Sequence, residues 1–301
     1  MTRTGPAPGV TLEVALTAVT EAAASIGLNH EPAHGLGPVG DNAVFLLPGG
    51  VVARVAHRDA AGRARREVRV ARWLERLEFP AVRVLPGAPG PYEAAGCVVT
   101  FWVEVPGIRQ SSPAELGFFL RKLHEIGSAP DNVLGPFQPF AKISDHIEVA
   151  VGLGPAEQDT LRALLEGLEQ QYALLEFPEE PCVIHGDAHR KNIVRDATGT
   201  VLMLDLESVS KAPREWDLTV AAVYRRVGWY TDADYQAFAH AYGRDVTHWL
   251  GFEVMAAIRQ LRMIVWLAAR TGREPRLIPE VRARLASVRD PGAVHAWEPG
   301  V

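Results

Sequence analysis

Val183-Ile-His-Gly-Asp-Ala-His-Arg-Lys-Asn-Ile-Val194 sets two apolar runs on either side of a densely polar loop carrying His185, Asp187, His189 and Asn192. Runs of that length predict short buried strands, and a polar loop between two strands is where a scaffold usually presents chemistry. Downstream, Asp196-Ala-Thr-Gly199 reads as a turn and Val201-Leu-Met-Leu-Asp-Leu206 as a returning strand, so the loop and this strand's end come side by side. Asp205 breaks the second run near its end. Glu207, two residues on, falls on the same side of a strand.

The N-terminal third has a different grammar. Val14, Leu16, Val19, Ala22 and Ile26 recur at roughly helical spacing and predict an opening helix over 11–28. Gly35-Leu-Gly-Pro-Val-Gly-Asp-Asn42 is a glycine-rich loop, and Val44–Leu47, Pro48-Gly-Gly50 and Val51–Val55 have the signature of a β-hairpin. Such a loop lets backbone N–H groups approach phosphate oxygens, but on its own the signal is weak and a flexible surface loop is the better reading. It matches neither a Walker loop nor a dinucleotide fingerprint, because no Gly-Lys-Ser/Thr follows and it opens a strand rather than a helix.

Arg54 interrupts the hairpin's second strand, and a cation there needs a partner or a ligand. The next helix, 60–78, places Val70, Ala71, Leu74 and Leu77 on one apolar stripe, with Glu67 on it and Arg65, Arg69, Arg72 and Arg76 opposite. A core-facing carboxylate is costly unless paired, and Arg54 is its expected partner. Val82–Leu85 and Cys97–Val103 add strands. Glu104-Val-Pro-Gly107 then closes a small antiparallel sheet with one helix packed on it, because proline cannot continue a ladder.

Beyond Pro113 the chain turns helical. Leu116, Phe119, Leu120, Leu123 and Ile126 share a face with His124, a packing histidine at its edge, and a second helix carries Leu161, Leu164, Leu165, Leu168, Tyr172 and Leu175. Residues 128–141 read as a loop, and after Pro213 helices are expected around 215–228, 232–242, 245–270 and 276–288. The expected architecture is two lobes, 1–103 and 104–301.

At 301 residues and 48% apolar composition the chain is long enough for two cores, and a formal charge of −5 argues against a nucleic-acid partner. Cys97 and Cys182 both sit in apolar runs, predicting buried reduced thiols and a cytoplasmic protein. No apolar run approaches the roughly 20 residues that span a bilayer, and the N-terminus lacks the order of a signal peptide.

Asp187, Asn192 and Asp205 supply the oxygen ligands that hard cations such as magnesium take, with one residue left over for proton or orientation work. A rival reading makes His185, Asp187 and His189 a zinc hydrolase cluster. It lacks further ligands, since His240, His248 and His295 are scattered, and it leaves Asn192, Asp205 and the glycine loop without a role.

With these residues in place the chain resembles the aminoglycoside phosphotransferase and choline kinase-like family, from about residue 35 to 270. His185-Gly-Asp187-Ala-His-Arg-Lys-Asn192 matches that family's catalytic loop in order and spacing. Leu204-Asp205-Leu-Glu207 matches its metal-binding strand end, and Pro213-Arg-Glu-Trp-Asp217-Leu the segment that follows in relatives. The resemblance implies a bilobal α+β protein kinase-like fold, with a small antiparallel-sheet N-lobe and a larger, mainly helical C-lobe. It implies that Asp187 accepts or orients the substrate hydroxyl and that Asn192 and Asp205 hold Mg2+ against the phosphates of ATP or GTP. Gly40 and Asn42 would cover those phosphates, Arg54 would stand paired with Glu67 where relatives commonly have lysine, and Thr100, Phe101 and Val103 would form a strap for adenine.

Some roles stay open within that resemblance. His189 either contacts the transferred phosphate or is a solvated loop residue; Glu207 either supports the metal or walls a substrate pocket; His185 holds the loop in shape. The implied activity is phosphorylation of a hydroxyl on a small molecule, an aminoglycoside-like or other antibiotic or a metabolite alcohol, by a monomer or homodimer. No activation loop is recognisable between Asp205 and Asp217, which argues against a protein substrate. Asp217, Trp229 and Tyr230, with Asp232, Asp234 and Glu253, are candidates for the walls of a cationic acceptor site, whereas Arg259, Arg262 and Arg270 would equally serve an anionic one. A nucleotide-binding regulator that kept the fold and lost turnover is the alternative from another class.

Overall fold

The computed structural model describes residues 10–31, 33–37, 42–127, 129–130, 132–289 and 296–299. In chain order its elements are α1 (Leu12–Ser25), β1 (His34–Gly35), β2 (Asn42–Leu47), β3 (Val51–His57), α2 (Ala61–Arg76), β4 (Tyr92–Ala94), β5 (Cys97–Val103) and β6 (Arg109–Gln110). There follow α3 (Pro113–His124), α4 (Ile143–Glu148), α5 (Pro155–Tyr172), β7 (Cys182–Ile184), β8 (Ile193–Arg195), β9 (Val201–Met203) and β10 (Ser210–Ala212). The chain continues as α6 (Glu215–Arg226), α7 (Asp232–Tyr242), α8 (Phe252–Ala268) and α9 (Ile278–Arg289). It forms two compact units. One comprises Met1–Gln110, Ala129–Gly135 and Lys191–Val209, the other Ser111–Ser128, Pro136–Arg190 and Ser210–Val301.

The first unit is built on an antiparallel sheet of order β1-β2-β3-β5-β4. Its hairpin turns at Pro48-Gly49-Gly50, where both glycines take positive φ, 78° and 72°, which a side chain would resist. Two-residue alternation sends Ala43, Phe45, Leu47, Val51, Ala53 and Val55 into the core and leaves Arg54 on the opposite face, which α2 covers. β5 is buried from Cys97 to Trp102, as expected of a strand with a helix on each face.

α1 is present, but its buried face differs from the expected one. Ala15, Ala18, Val19, Ala22 and Ala23 point inward, whereas Val14 and Leu16 are exposed. The sheet already presents bulky Phe45 and Phe101, so a face of small residues lets the helix pack close. Val82–Leu85 is not a regular strand. Val82 N–H donates to Met203 O (2.9 Å) and Leu85 N–H to Phe101 O (2.9 Å), so the segment divides its bonds between β9 and β5 and completes no ladder. A second small sheet, β6-β8-β9, completes this unit.

In the second unit α3 starts on a capping box, with Glu115 N–H donating to Ser112 Oγ (3.2 Å) and Ser112 N–H to Glu115 Oε2 (2.7 Å). α3 and α7 approach so closely that a Cβ on Gly117 would lie 2.3 Å from Phe238 O. α8 packs against α4, α5, α6 and α9 and is the centre of the helical core. The single helix expected over 245–270 is instead a short 3-10 turn, Val246–His248, followed by α8. Asp245 caps that turn by accepting Thr247 N–H (2.9 Å), which sets the turn apart from α8. β10 pairs with β7 in the register Ser210–Ile184 and Ala212–Cys182, a pairing that residues 210–212 do not advertise.

Candidate active site

In the first unit Arg54 projects from β3 into a cluster of carboxylates. Its Nη1 donates to Glu67 Oε1. Nη2 donates to Asp205 Oδ1 (3.4 Å) and Glu207 Oε2 (3.5 Å). Glu67 is buried on α2, on the stripe where periodicity places it. Burial pushes the Glu67 carboxyl up to about 7, with the Arg54 charge pulling the other way. Arg63, one helical turn before Glu67, adds a second cation with Nε 3.5 Å from Glu207 Oε2.

Asp205 and Glu207 reach Arg54 by a different route from the one their spacing suggests. The strand ends at Met203, Asp205 takes a left-handed backbone (φ 53°), and Leu206–Ser208 forms a 3-10 turn. A tight turn therefore brings the two carboxylates to one cation, not strand alternation. Asn192 lies opposite Asp205's neighbour at the end of the β8–β9 hairpin, where Leu204 N–H donates to Asn192 O (2.7 Å). Asn192 and Asp205 offer the oxygen donors magnesium takes, and the Asp205 side chain, 38% exposed, is open to a hydrated ion. Among the described residues no group of three or more His, Cys, Asp or Glu is placed to hold a metal unaided.

Asn42, Arg54, Arg63, Glu67, Thr100 and Glu207 line one hollow on the α2 face of the sheet. Gly40 lies outside the described residues. Thr100–Val103, expected as a strap for adenine, lie within β5. Phe101 is buried in the core, its carbonyl accepting Leu85 N–H, and Val103 N–H donates to Arg83 O (2.9 Å), so ladder bonds already engage this backbone. Thr100, on the opposite face, accepts Trp102 Nε1–H (2.9 Å).

In the second unit the His185-Gly-Asp187 segment is braced from within. Asp217, near the start of α6, accepts His185 N–H on Oδ2 (2.8 Å) and Gly186 N–H on Oδ1 (2.9 Å). His124 Nε2 lies 3.1 Å from Asp217 Oδ2, and Trp216 Nε1–H donates to Gly186 O (2.8 Å). Asp217 is therefore a buried clamp on the loop and not a wall of an open pocket, as its place among candidate acceptor residues had it. His185, fully buried, accepts Asp187 N–H on Nδ1 (3.3 Å), and His124 packs as expected.

Asp187 itself is half-exposed. Arg259 Nη2 of α8 donates to its Oδ1 (2.8 Å), and His189 Nε2 is 3.5 Å from Oδ2. Burial opposes ionisation, but Arg259 and His189 outweigh it and hold the carboxyl well below the usual carboxylate range. Arg259's part was missed in the sequence, although the signal was there. It is a cation inside the apolar run of α8, the same anomaly that singled out Arg54. Trp229 is half-buried with Nε1–H donating to Trp297 O (2.8 Å), and Tyr230 is buried.

An antiparallel sheet whose third strand carries a cation paired to a helix-borne glutamate, in one chain with a mainly helical unit bearing a braced His-Gly-Asp loop, defines the protein kinase-like fold of phosphotransferases. Residues 38–258 match the phosphotransferase enzyme family (APH), and the chain belongs to that family. Its structure is similar to that of an amicoumacin kinase in complex with AMP-PNP and Ca2+ (TM-score 0.70, 12% identity, 93% of this chain and 95% of that one covered). It is also similar to the choline kinase LicA from Streptococcus pneumoniae (TM-score 0.62, 15% identity, 89% and 98% covered). A third similar structure is the aminoglycoside phosphotransferase APH(3'')-Id from Streptomyces rimosus (TM-score 0.58, 20% identity, 84% and 98% covered). At these identities the likeness is one of fold. No curated protein matches the chain. Among the described residues no helix is long and apolar enough to cross a membrane.

Proposed function

We propose that the chain transfers the terminal phosphoryl group of ATP or GTP to a hydroxyl of a small molecule, with Mg2+. Asp187 orients the acceptor hydroxyl. Arg259 holds Oδ1 and His189 lies by Oδ2, and so acidic a carboxyl acts more by positioning than by strong proton abstraction. That suits phosphoryl transfer, where alignment and charge neutralisation carry most of the catalysis. Asn192 and Asp205 would hold the metal, which, when bound, neutralises charge on the nucleotide phosphates. Arg54, kept in place by Glu67, would meet those phosphates from the hollow that Asn42 and Thr100 share, with Glu207 supporting Arg54.

Among the observations of the site, the one that carries this reading is Asp187: a carboxylate in a loop fixed by Asp217 and Trp216, held ionised by Arg259, in a chain of the phosphotransferase family. Nucleotide hydrolysis that depends on an added hydroxylated acceptor, followed as coupled ADP or GDP release, tests it. Asp187→Asn should lower turnover on the order of 10²-fold or more, and unchanged turnover would sink the proposal. A cytoplasmic location and a monomeric or homodimeric state belong to the same reading.

A further inference from the structure

The acceptor side of the second unit carries more positive charge than its carboxylates balance. Arg259 pairs with Asp187, and Arg262, three residues on and so on the same face of α8, finds no carboxylate among the described contacts. Arg262 Nη1 donates to Pro139 O (2.9 Å) and Ala141 O (3.4 Å), and its guanidinium lies over the Trp216 ring, 5.5 Å from the centroid. Carbonyl oxygens and an aromatic face satisfy its geometry, and the carboxylate that acts on its charge is Asp187, which Arg259 already pairs, so two cations share one anion. Burial and the neighbouring Arg259 push its pKa down, and Asp187 opposes them only in part.

The groups that would hold a cationic acceptor are already engaged. Trp229 is faced by Arg284 (5.8 Å) and Tyr230 by Arg190 (6.0 Å), so each ring already has a cation over it that would repel a quaternary ammonium. Asp217 clamps the loop. Asp234 caps α7 by accepting Thr231 N–H (3.0 Å), and Glu253 pairs with Arg226 (2.7 Å). Asp232, with its side chain 91% exposed, has Arg225 3.8 Å away.

We infer that the acceptor carries, besides its hydroxyl, an anionic group, a carboxylate or a phosphate ester, that Arg262 and Arg259 hold beside Asp187. This rests on the phosphotransferase reading and narrows its substrate class, setting aside polycationic aminoglycosides and choline-like amines.

The test is an ADP-release screen of the full chain with Mg2+ and ATP over four sets of hydroxylated compounds: carboxylates, phosphate monoesters, neutral polyols, and amines including kanamycin and choline. Turnover of carboxylates or of phosphate monoesters in preference to the other sets supports the inference and says which anion is held. The KM for that acceptor should rise about tenfold or more in Arg262→Gln with kcat within threefold. Arg262→Lys, which keeps the charge, should stay nearer the unsubstituted KM and guards against a variant that merely misfolds. Preference for an amine or a polyol overturns the inference, as does an unchanged KM in Arg262→Gln. Turnover of no set overturns it as well, and calorimetric binding of AMP-PNP with Mg2+ to the same protein then decides whether the phosphotransferase reading falls with it.

Discussion

Replacing Arg54 with methionine isolates the charge economy of the first unit. Glu67 and Arg54 have side chains only 6% and 20% exposed, so removing the cation leaves a buried carboxylate with no counter-charge and with Asp205 and Glu207 nearby. Breaking such a pair costs about 3 kcal/mol when the carboxylate stays ionised. It does not stay ionised at every pH. Burial already pushes Glu67 from an ordinary 4.5 up to about 7. The folded chain therefore holds a proton there that the unfolded chain releases. This contribution to stability is fully present below pH 4.5 and is lost as pH rises through 7, about 3 kcal/mol in all at about 1.4 kcal/mol per pH unit. Without Arg54 the decline continues to higher pH, so Arg54→Met should cost little at pH 5.5 and about 2 kcal/mol at pH 8.5, the further fall from pH 7 at about 1.4 kcal/mol per pH unit. Urea denaturation at both values, read by hydrogen–deuterium pulse labelling of the β3 and β5 peptides, measures this directly. Adding Glu67→Leu to Arg54→Met should recover most of the loss at pH 8.5. An equal cost at both pH values, or a double variant as unstable as the two single losses added, refutes the reasoning.

Three further outcomes follow from the second unit. Asp217→Ala strips two loop N–H groups of their acceptor and should cost about 3 kcal/mol or more, with faster amide exchange at His185 and Gly186. In Arg259→Gln the Asp187 carboxyl loses its strongest counter-charge, so it protonates at higher pH; the acidic limb of the turnover profile should move up toward the ordinary carboxylate range, about 4, and an unmoved limb would contradict the assignment. Gly117→Ala should lower the melting temperature by the equivalent of about 1–3 kcal/mol, because its Cβ would meet Phe238 O at 2.3 Å across the α3–α7 contact.

Much of the site was legible because its signals are local. Spacing alone placed the hairpin around Pro48–Gly50, put Glu67 on the inner stripe of α2, and marked Arg54 as a cation needing that partner. What escaped was decided by neighbours distant in sequence. The inward face of α1 is chosen by the bulk of Phe45 and Phe101 on the sheet, which no period within residues 12–25 encodes. Val82–Leu85 has a strand's composition, but the partners it meets, Met203 and Phe101, divide its hydrogen bonds. Asp217 and Arg259 looked like free charges on helices, because only the folded chain brings residues 185–187 to them.

His124, on α3, contacts the carboxylate that clamps the loop and the Tyr242 hydroxyl of α7, 2.9 Å from Nδ1. Since a carboxylate only accepts, Nε2 carries the proton and Nδ1 accepts from the tyrosine, so one tautomer is selected. The donors run in one direction, from α7 through α3 to α6. Residues 185–187, which form no helix or strand of their own, thereby inherit the rigidity of three helices. Their conformational entropy is lost when the unit folds, and under the proposed function an acceptor would meet a carboxylate already aimed.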